Sequence, residues 1–202
     1  MAETVVNLKS DLKEAAEMAD HLAEYLRGDA LYGSIGGGLF GSGSKPPLTV
    51  GALLLRLRRL HGLEAELTPD QQSQLAAADA QHAAVKHEWR MHYDEKRLRE
   101  AHSRLDAMRA FFEECTQSPK TCAANYLPEA LRRTIVQELI ATLDDDGLVE
   151  DDLKRKQREI DSRLRRYTRG SDFVWAPEFA SVYPRDVFWW LYARPQASDQ
   201  DQ

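Results

Sequence analysis

From Asp70 to Ser118 the chain contains neither glycine nor proline, and Thr68-Pro69 stands immediately before the run. Threonine before a helix supplies a side-chain oxygen to the unpaired first-turn amides. Proline fits the first turn because it has no amide to leave unpaired, and aspartate there answers the helix dipole. The next breaker is Pro119. A helix is therefore predicted over 69–116, roughly 70 Å long at 1.5 Å per residue.

So long a helix must be covered along its length. Its apolar stripe changes face partway. Leu75, Ala78, His82, Val85 and Trp89 share one side, and Leu98, Ala101, Leu105, Met108 and Phe112 another. At 100° per residue the second stripe is turned by more than about 100° from the first. Either the two halves meet different neighbours or the helix kinks between them.

Two shorter amphipathic patterns follow. Leu131, Ile135, Leu139 and Leu143 line one over 128–146, and Leu153, Ile160, Leu164 and Tyr167 line another over 150–169. Asp144-Asp145-Asp146-Gly147 separates them, because acids oppose the dipole at a helix C-terminus. Their summed length matches the long helix. The expectation is an antiparallel hairpin with a broken return arm, the first piece covering 98–115 and the second covering 72–96.

At the N-terminus, Leu8, Leu12, Ala15, Ala19, Leu22 and Leu26 form one stripe that ends before Gly28. Tyr32 to Pro47, YGSIGGGLFGSGSKPP, holds six glycines and two prolines and is read as a flexible linker with Ile35, Leu39 and Phe40 as anchors. Thr49 caps a short helix, GALLLRLRRL. The predicted class is all-α: an elongated helical hairpin with a very long central helix and short N-terminal helices. Its segments are an N-terminal helix (1–31), the linker (32–47), a hairpin domain with an aromatic C-terminal cap (48–195) and a disordered tail (196–202). No strand pattern is evident.

Composition narrows the function classes. Charged residues make up 30% and the net charge is −6. Any binding to nucleic acid or anionic lipid must then be local. No run is long and apolar enough to span a bilayer. The start MAETVVNLKSDLKEAA lacks a basic n-region and an apolar core. With two cysteines and no disulfide framework, a cytoplasmic protein is expected.

The motifs that could carry chemistry are of four kinds. Gly36-x-Gly38-x-x-Gly41 matches a dinucleotide fingerprint in form only. A helix precedes it where a strand is needed, and Pro46-Pro47 follow where a helix should start. Glu17, His21, Glu24 and Glu88, His92, Glu95 repeat one spacing on helix faces, as metal ligands in a bundle would, but off the apolar stripes. Cys115 and Cys122, with six residues between them, lack the partners of a zinc site, and a buried thiol is expected at Cys115, with a disulfide clip as the alternative if the loop folds back. His82, on the inward stripe, reads as a hydrogen-bonded interior residue.

Lys154 to Arg169 carries eight basic residues against two acids: Lys154, Arg155, Lys156, Arg158, Arg163, Arg165, Arg166 and Arg169. Such a helix can track phosphates, or its charges can be answered by acids on neighbouring elements. Finally, eight of the chain's 17 aromatic residues lie between Phe173 and Tyr192. Phe173, Trp175, Phe179, Phe188, Trp189, Trp190 and Tyr192 serve either as an intramolecular cap or as a partner interface. The cap is expected over the Trp89 end of the hairpin and helix 49–61, with Trp175, Phe179, Phe188 and Trp189 inward.

The leading functional expectation is a non-enzymatic interaction or scaffold protein, binding a protein partner or itself, with no cofactor and no evident small-molecule substrate. The alternatives are a nucleic-acid-binding accessory subunit that uses 154–169, and a metal-dependent helical-bundle enzyme.

Overall fold

A computed structural model describes residues 6–34, 47–117 and 119–195. Most of the glycine-rich run, including Ile35, Leu39, Phe40 and the fingerprint-like Gly36 to Gly41, lies outside the described residues, as does the tail 196–202. The chain is all-α, with one two-stranded ribbon and an isolated bridge at Gly33–Leu48 among the described residues. Among the described residues, no helix is long and apolar enough to cross a membrane. The chain divides into two units, Asn7–Glu100 and the chain from Ala101 onward. The division falls inside the long helix, and the N-terminal helix belongs with the helices after the glycine-rich run.

In the first unit, α1 (Leu8–Arg27) packs on α2 (Val50–Gly62) and α3 (Pro69–Glu88). The caps are those the sequence indicates. Thr49 Oγ1 accepts from the Ala52 amide, and Thr68 forms a reciprocal capping box with Gln71. The glycine-rich run leaves and returns at one place, because Gly33 and Leu48 exchange both backbone hydrogen bonds at 2.9 Å. Gly33 is required there: a Cβ would stand 2.9 Å from the Tyr25 ring.

The predicted continuous helix 69–116 is interrupted at Trp89 (φ −108°, ψ 34°), and α4 runs over Arg90–Gln117. No proline or glycine causes this break. Its motive is the change of stripe. Across the break His82 Nε2 meets the Tyr93 hydroxyl at 2.8 Å, with ring centroids 5.6 Å apart. Eleven residues of straight helix would separate them by about 16 Å along the axis, more than these side chains close, so the helix bends. Tyr93 thereby becomes buried. Two buried charges tie α4 to the rest of the unit. Lys96 Nζ donates to the carbonyls of Gly28 (2.7 Å) and Ala30 (2.6 Å), just past the end of α1. Glu100 accepts from Thr49 Oγ1 (2.6 Å) and the Gly51 amide (2.9 Å) at the positive end of α2. Burial lowers the Lys96 ammonium below its ordinary pKa, with Arg99 adding to the shift.

In the second unit the remainder of α4 is followed by α5 (Pro119–Ala124), α6 (Tyr126–Asp145) and α7 (Asp151–Tyr167). Where a loop was expected after α4, a short helix stands, and Cys115 and Cys122 are joined in a disulfide with Cα atoms 5.0 Å apart. Both are buried, so the expected free thiol at Cys115 is corrected, and the cysteine argument for a reducing compartment falls with it.

The course of the return arm also differs from expectation. His102 pairs with Glu150, Asp106 with Lys156, Arg109 with Glu159, Glu113 with Arg163 and Thr116 with Tyr167. The near-constant offset means that α7 runs parallel to 102–116 instead of along 72–96. Arg133 to Asp161 and Asp144 to Lys154 run in opposite order, so α6 is antiparallel to α7. The unit is thus an up-down-up three-helix bundle. The cause is local: Gly147 adopts φ 68°, and the Gly147 and Leu148 amides close back on Asp144 and Leu143. This left-handed cap reverses the chain sharply, so α7 cannot continue in the direction of α6.

After α7 comes β1 (Thr168–Gly170), paired antiparallel with β2 (Ala193–Pro195). No strand was expected at either place, because three residues are too few to show a two-residue period. Between the strands, the aromatic segment folds as 3-10 turns at Pro177–Ser181 and Trp189–Tyr192. Trp175, Phe179, Tyr183, Phe188 and Trp190 are buried in a chain of edge-to-face contacts. The segment is anchored on α6: Trp190 Nε1 donates to Thr134 Oγ1 (3.0 Å), and the Tyr126 hydroxyl donates to the Trp190 carbonyl (2.6 Å). The expected cover over Trp89 and helix 49–61 is therefore corrected to α6, and the inward tryptophan is Trp190 instead of Trp189. The reversal at Gly147 explains the difference, since α7 delivers the segment beside the start of α6.

Candidate anion site at the end of the basic helix

The eight basic residues of 154–169 fall into two groups. In the first three turns of α7 the charge is mostly answered. Lys156 reaches Asp106 at 3.0 Å, Arg163 reaches Glu159 at 3.0 Å, Lys154 lies 4.0 Å from Asp144, and Arg155 pairs with Asp152. Arg158 lies on the exposed side, beside the groove between α6 and α7 that Asp144, Asp145 and Asp161 also line. These residues make a solvated, largely neutralised face.

The C-terminal end of α7 is different. Arg165 and Arg169 line a concavity of about 300 Å³ together with Thr168, Gly170, Arg185, Trp189, Tyr192 and Ala193. Arg166 is exposed and stands outside this lining. Among the described residues, none of the guanidinium groups of Arg165, Arg169 and Arg185 has a carboxylate at ion-pair distance, in contrast to the upstream bases. The ribbon adds a fourth charge. Its register sets Arg169 directly opposite Arg194, and both are exposed. Like charges facing one another across a strand pair are destabilising, so this arrangement costs stability unless an anion answers it.

Rings hold two of these arginines. The Arg165 guanidinium lies 3.9 Å from the centroid of Trp189, and that of Arg185 lies 5.5 Å from the centroid of Tyr192. Each ring is fixed from behind. Trp189 meets Trp190 edge-on at 5.8 Å, and the Arg133 guanidinium stacks 4.0 Å from Trp190 while bonding Asp161 through Nε (2.7 Å) and Nη2 (3.0 Å). The Tyr192 hydroxyl donates to the carbonyl of Tyr183 (3.0 Å) or Ala180 (3.3 Å), and burial raises its pKa. Gly170 passes under Arg185: a Cβ there would lie 3.7 Å from its Nη2. The result is a set of planar cations held by rings whose own supports are buried.

The other sequence candidates do not assemble. Glu17, His21, Glu24 and Glu88, His92, Glu95 form no cluster of metal-ligand type among the described residues. His21 faces Glu24 at 3.7 Å in solvent, His92 lies edge-on to Trp89, and Glu95 pairs with Arg99. His82 is hydrogen-bonded as expected but half-buried, and its pKa falls to about 4 through burial and the nearby Lys86 charge. Of the aromatic residues singled out, Trp189 and Tyr192 join the concavity, Phe173 lies against the Tyr192 ring at 5.0 Å, and Trp175, Phe179, Phe188 and Trp190 form the core beneath. Sequence reasoning missed Arg185 and Arg194. The turn-forming Pro184 before Arg185 was legible, but the pairing that brings 194 beside 169 was not.

No protein family matches this chain, and none of the curated proteins or solved structures compared with it is significantly similar.

Proposed function

We propose that this chain is a non-enzymatic nucleic-acid-binding protein that takes phosphates at the C-terminal end of α7. The observation that supports the reading is the group Arg165, Arg169 and Arg185, which among the described residues have no carboxylate at ion-pair distance and converge on one concavity, while most bases upstream are paired with acids. A guanidinium fork matches phosphate in a bidentate way and needs no deprotonation or metal to do so. The expectation of a partner-binding scaffold rested on long helices and exposed apolar segments; of the C-terminal rings that were the alternative candidates for such an interface, Trp175, Phe179, Phe188 and Trp190 are buried.

The test is fluorescence anisotropy with a labelled RNA or DNA oligonucleotide over a salt series. Affinity is expected to fall steeply as salt rises, because bound phosphates release counterions. Joint replacement Arg165→Glu, Arg169→Glu and Arg185→Glu is expected to reduce binding at least tenfold, whereas Arg155→Glu, in the neutralised part of the helix, leaves it nearly unchanged. No binding at low salt, or equal losses in both variants, refutes the reading.

A further inference from the structure

We infer that the site takes a single strand, one nucleotide at a time: the phosphate on the arginine forks, the base stacked on the outer face of Arg165. This rests on the nucleic-acid reading above and specifies its ligand. The first ground is the Arg165–Trp189 stack. The guanidinium carbon lies over the indole, 3.9 Å from the ring centroid, and Arg165 as a whole is exposed, so solvent reaches the side chain on the side away from the ring. A planar cation already held over a ring is a ready platform for an aromatic base, and unpaired bases stack on guanidinium planes as they do on rings. Only a nucleotide whose base is free of a duplex stack can offer that face.

The second ground is the size of the charged surface. A protein that follows a duplex needs cations spread along the path of two backbones. Here the upstream bases Lys154, Arg155, Lys156 and Arg163 are bound to acids, Arg158 and Arg166 stand apart on the exposed side of the helix, and among the described residues the unanswered charge that converges on one place is that of Arg165, Arg169, Arg185 and the facing Arg194. A concavity of about 300 Å³ suits one nucleotide unit. The third ground is rigidity. Trp190, behind Trp189, is held by Thr134 and by Arg133, so the platform does not have to be ordered by the strand.

The experiment uses the full chain and four probes: a single-stranded oligonucleotide, the same sequence as a duplex, inorganic polyphosphate of similar charge, and a mononucleotide as competitor. Each is measured with the wild-type protein and with Arg165→Lys, which keeps the charge and removes the plane. The expected result is that the single strand binds at least tenfold more tightly than duplex or polyphosphate. Arg165→Lys should weaken the strand roughly tenfold, in line with the value of one stacked base, while polyphosphate binding changes by less than about threefold, as one surface charge is retained. Equal affinity for strand and duplex, or an equal loss for strand and polyphosphate in Arg165→Lys, overturns the stacked base while leaving phosphate binding intact. Displacement of the strand by mononucleotide at equal nucleotide concentration overturns the strand in favour of a free nucleotide. Failure of all four probes to bind overturns both this inference and the reading beneath it.

Discussion

His82 has two partners with opposite consequences. The Tyr93 hydroxyl at 2.8 Å fixes its ring, while burial and the Lys86 ammonium hold its pKa at about 4. The imidazole is therefore neutral in the folded chain at neutral pH. In the unfolded chain it takes a proton near its ordinary value of about 6.5. As pH falls from 6.5 toward 4, the unfolded state binds a proton that the folded state refuses, so folding loses stability over that window. The shift corresponds to a loss on the order of 3 kcal/mol at 1.36 kcal/mol per unit. His82→Gln keeps a hydrogen-bonding group toward Tyr93 and does not titrate. Denaturant melts at pH 7 and pH 4.5 should show the wild type losing more stability than His82→Gln. Identical pH dependence in the two proteins would mean that the imidazole is free to protonate in the fold.

At the scale of elements, the turn at Gly147 decides the architecture of the second unit. Its φ of 68° lies where residues with a Cβ are strained, although nothing stands within 4 Å of the place a Cβ would occupy. The cost of Gly147→Ala is then backbone strain alone, on the order of 1 kcal/mol. A thermal melt should fall by a few degrees, consistent with 2–4 °C per kcal/mol for a chain of about this size. An unchanged melt would show that the turn tolerates another conformation. This turn also marks the limit of what periodicity reveals. The stripes Leu131 to Leu143 and Leu153 to Leu164 identified both helices and the break between them. The direction of α7 depends on one dihedral angle, and no stripe encodes it. The stripe change near Trp89 was legible because 100° per residue is a rigid rule, but it left two explanations, different neighbours or a kink; the continuous helix was expected and the structure breaks it at Trp89. The arginine cluster was half legible. Arg165 and Arg169 stood out as a charge run, but the decisive contrast is which bases lack an acid, and that is set by α7 lying parallel to 102–116. Arg185 reaches the cluster only through the ribbon that returns the chain.

On the scale of the whole molecule, the two units solve the problem of a long helix separately. In Asn7–Glu100, α1 to α3 build an aliphatic core, with Leu12, Leu22, Leu53, Leu60 and Leu75 buried. The unit from Ala101 buries Leu105, Met108, Phe112, Leu139 and Ile160 between its helices, then completes itself with Trp175, Phe179, Tyr183, Phe188 and Trp190. The concentration of rings near the C-terminus has its reason here: a segment with only short turns needs large side chains to bury enough area, about 150–250 Å² each. Removal of residues 171–202 should then be far more damaging than the loss of a tail. Deleting one buried ring costs about 3–5 kcal/mol, and five are lost together, along with the bonds from Trp190 to Thr134 and from Tyr126 to Trp190. Such a sum exceeds the roughly 5–15 kcal/mol that holds a domain folded. The truncated chain should lose near-ultraviolet ellipticity and become open to proteases between Tyr126 and Tyr167, while Asn7 to Glu88 keeps its resistance. A truncated chain that melts like the full one, with α6 and α7 still protected, would mean that the three helices hold themselves together and that the rings serve something outside this chain.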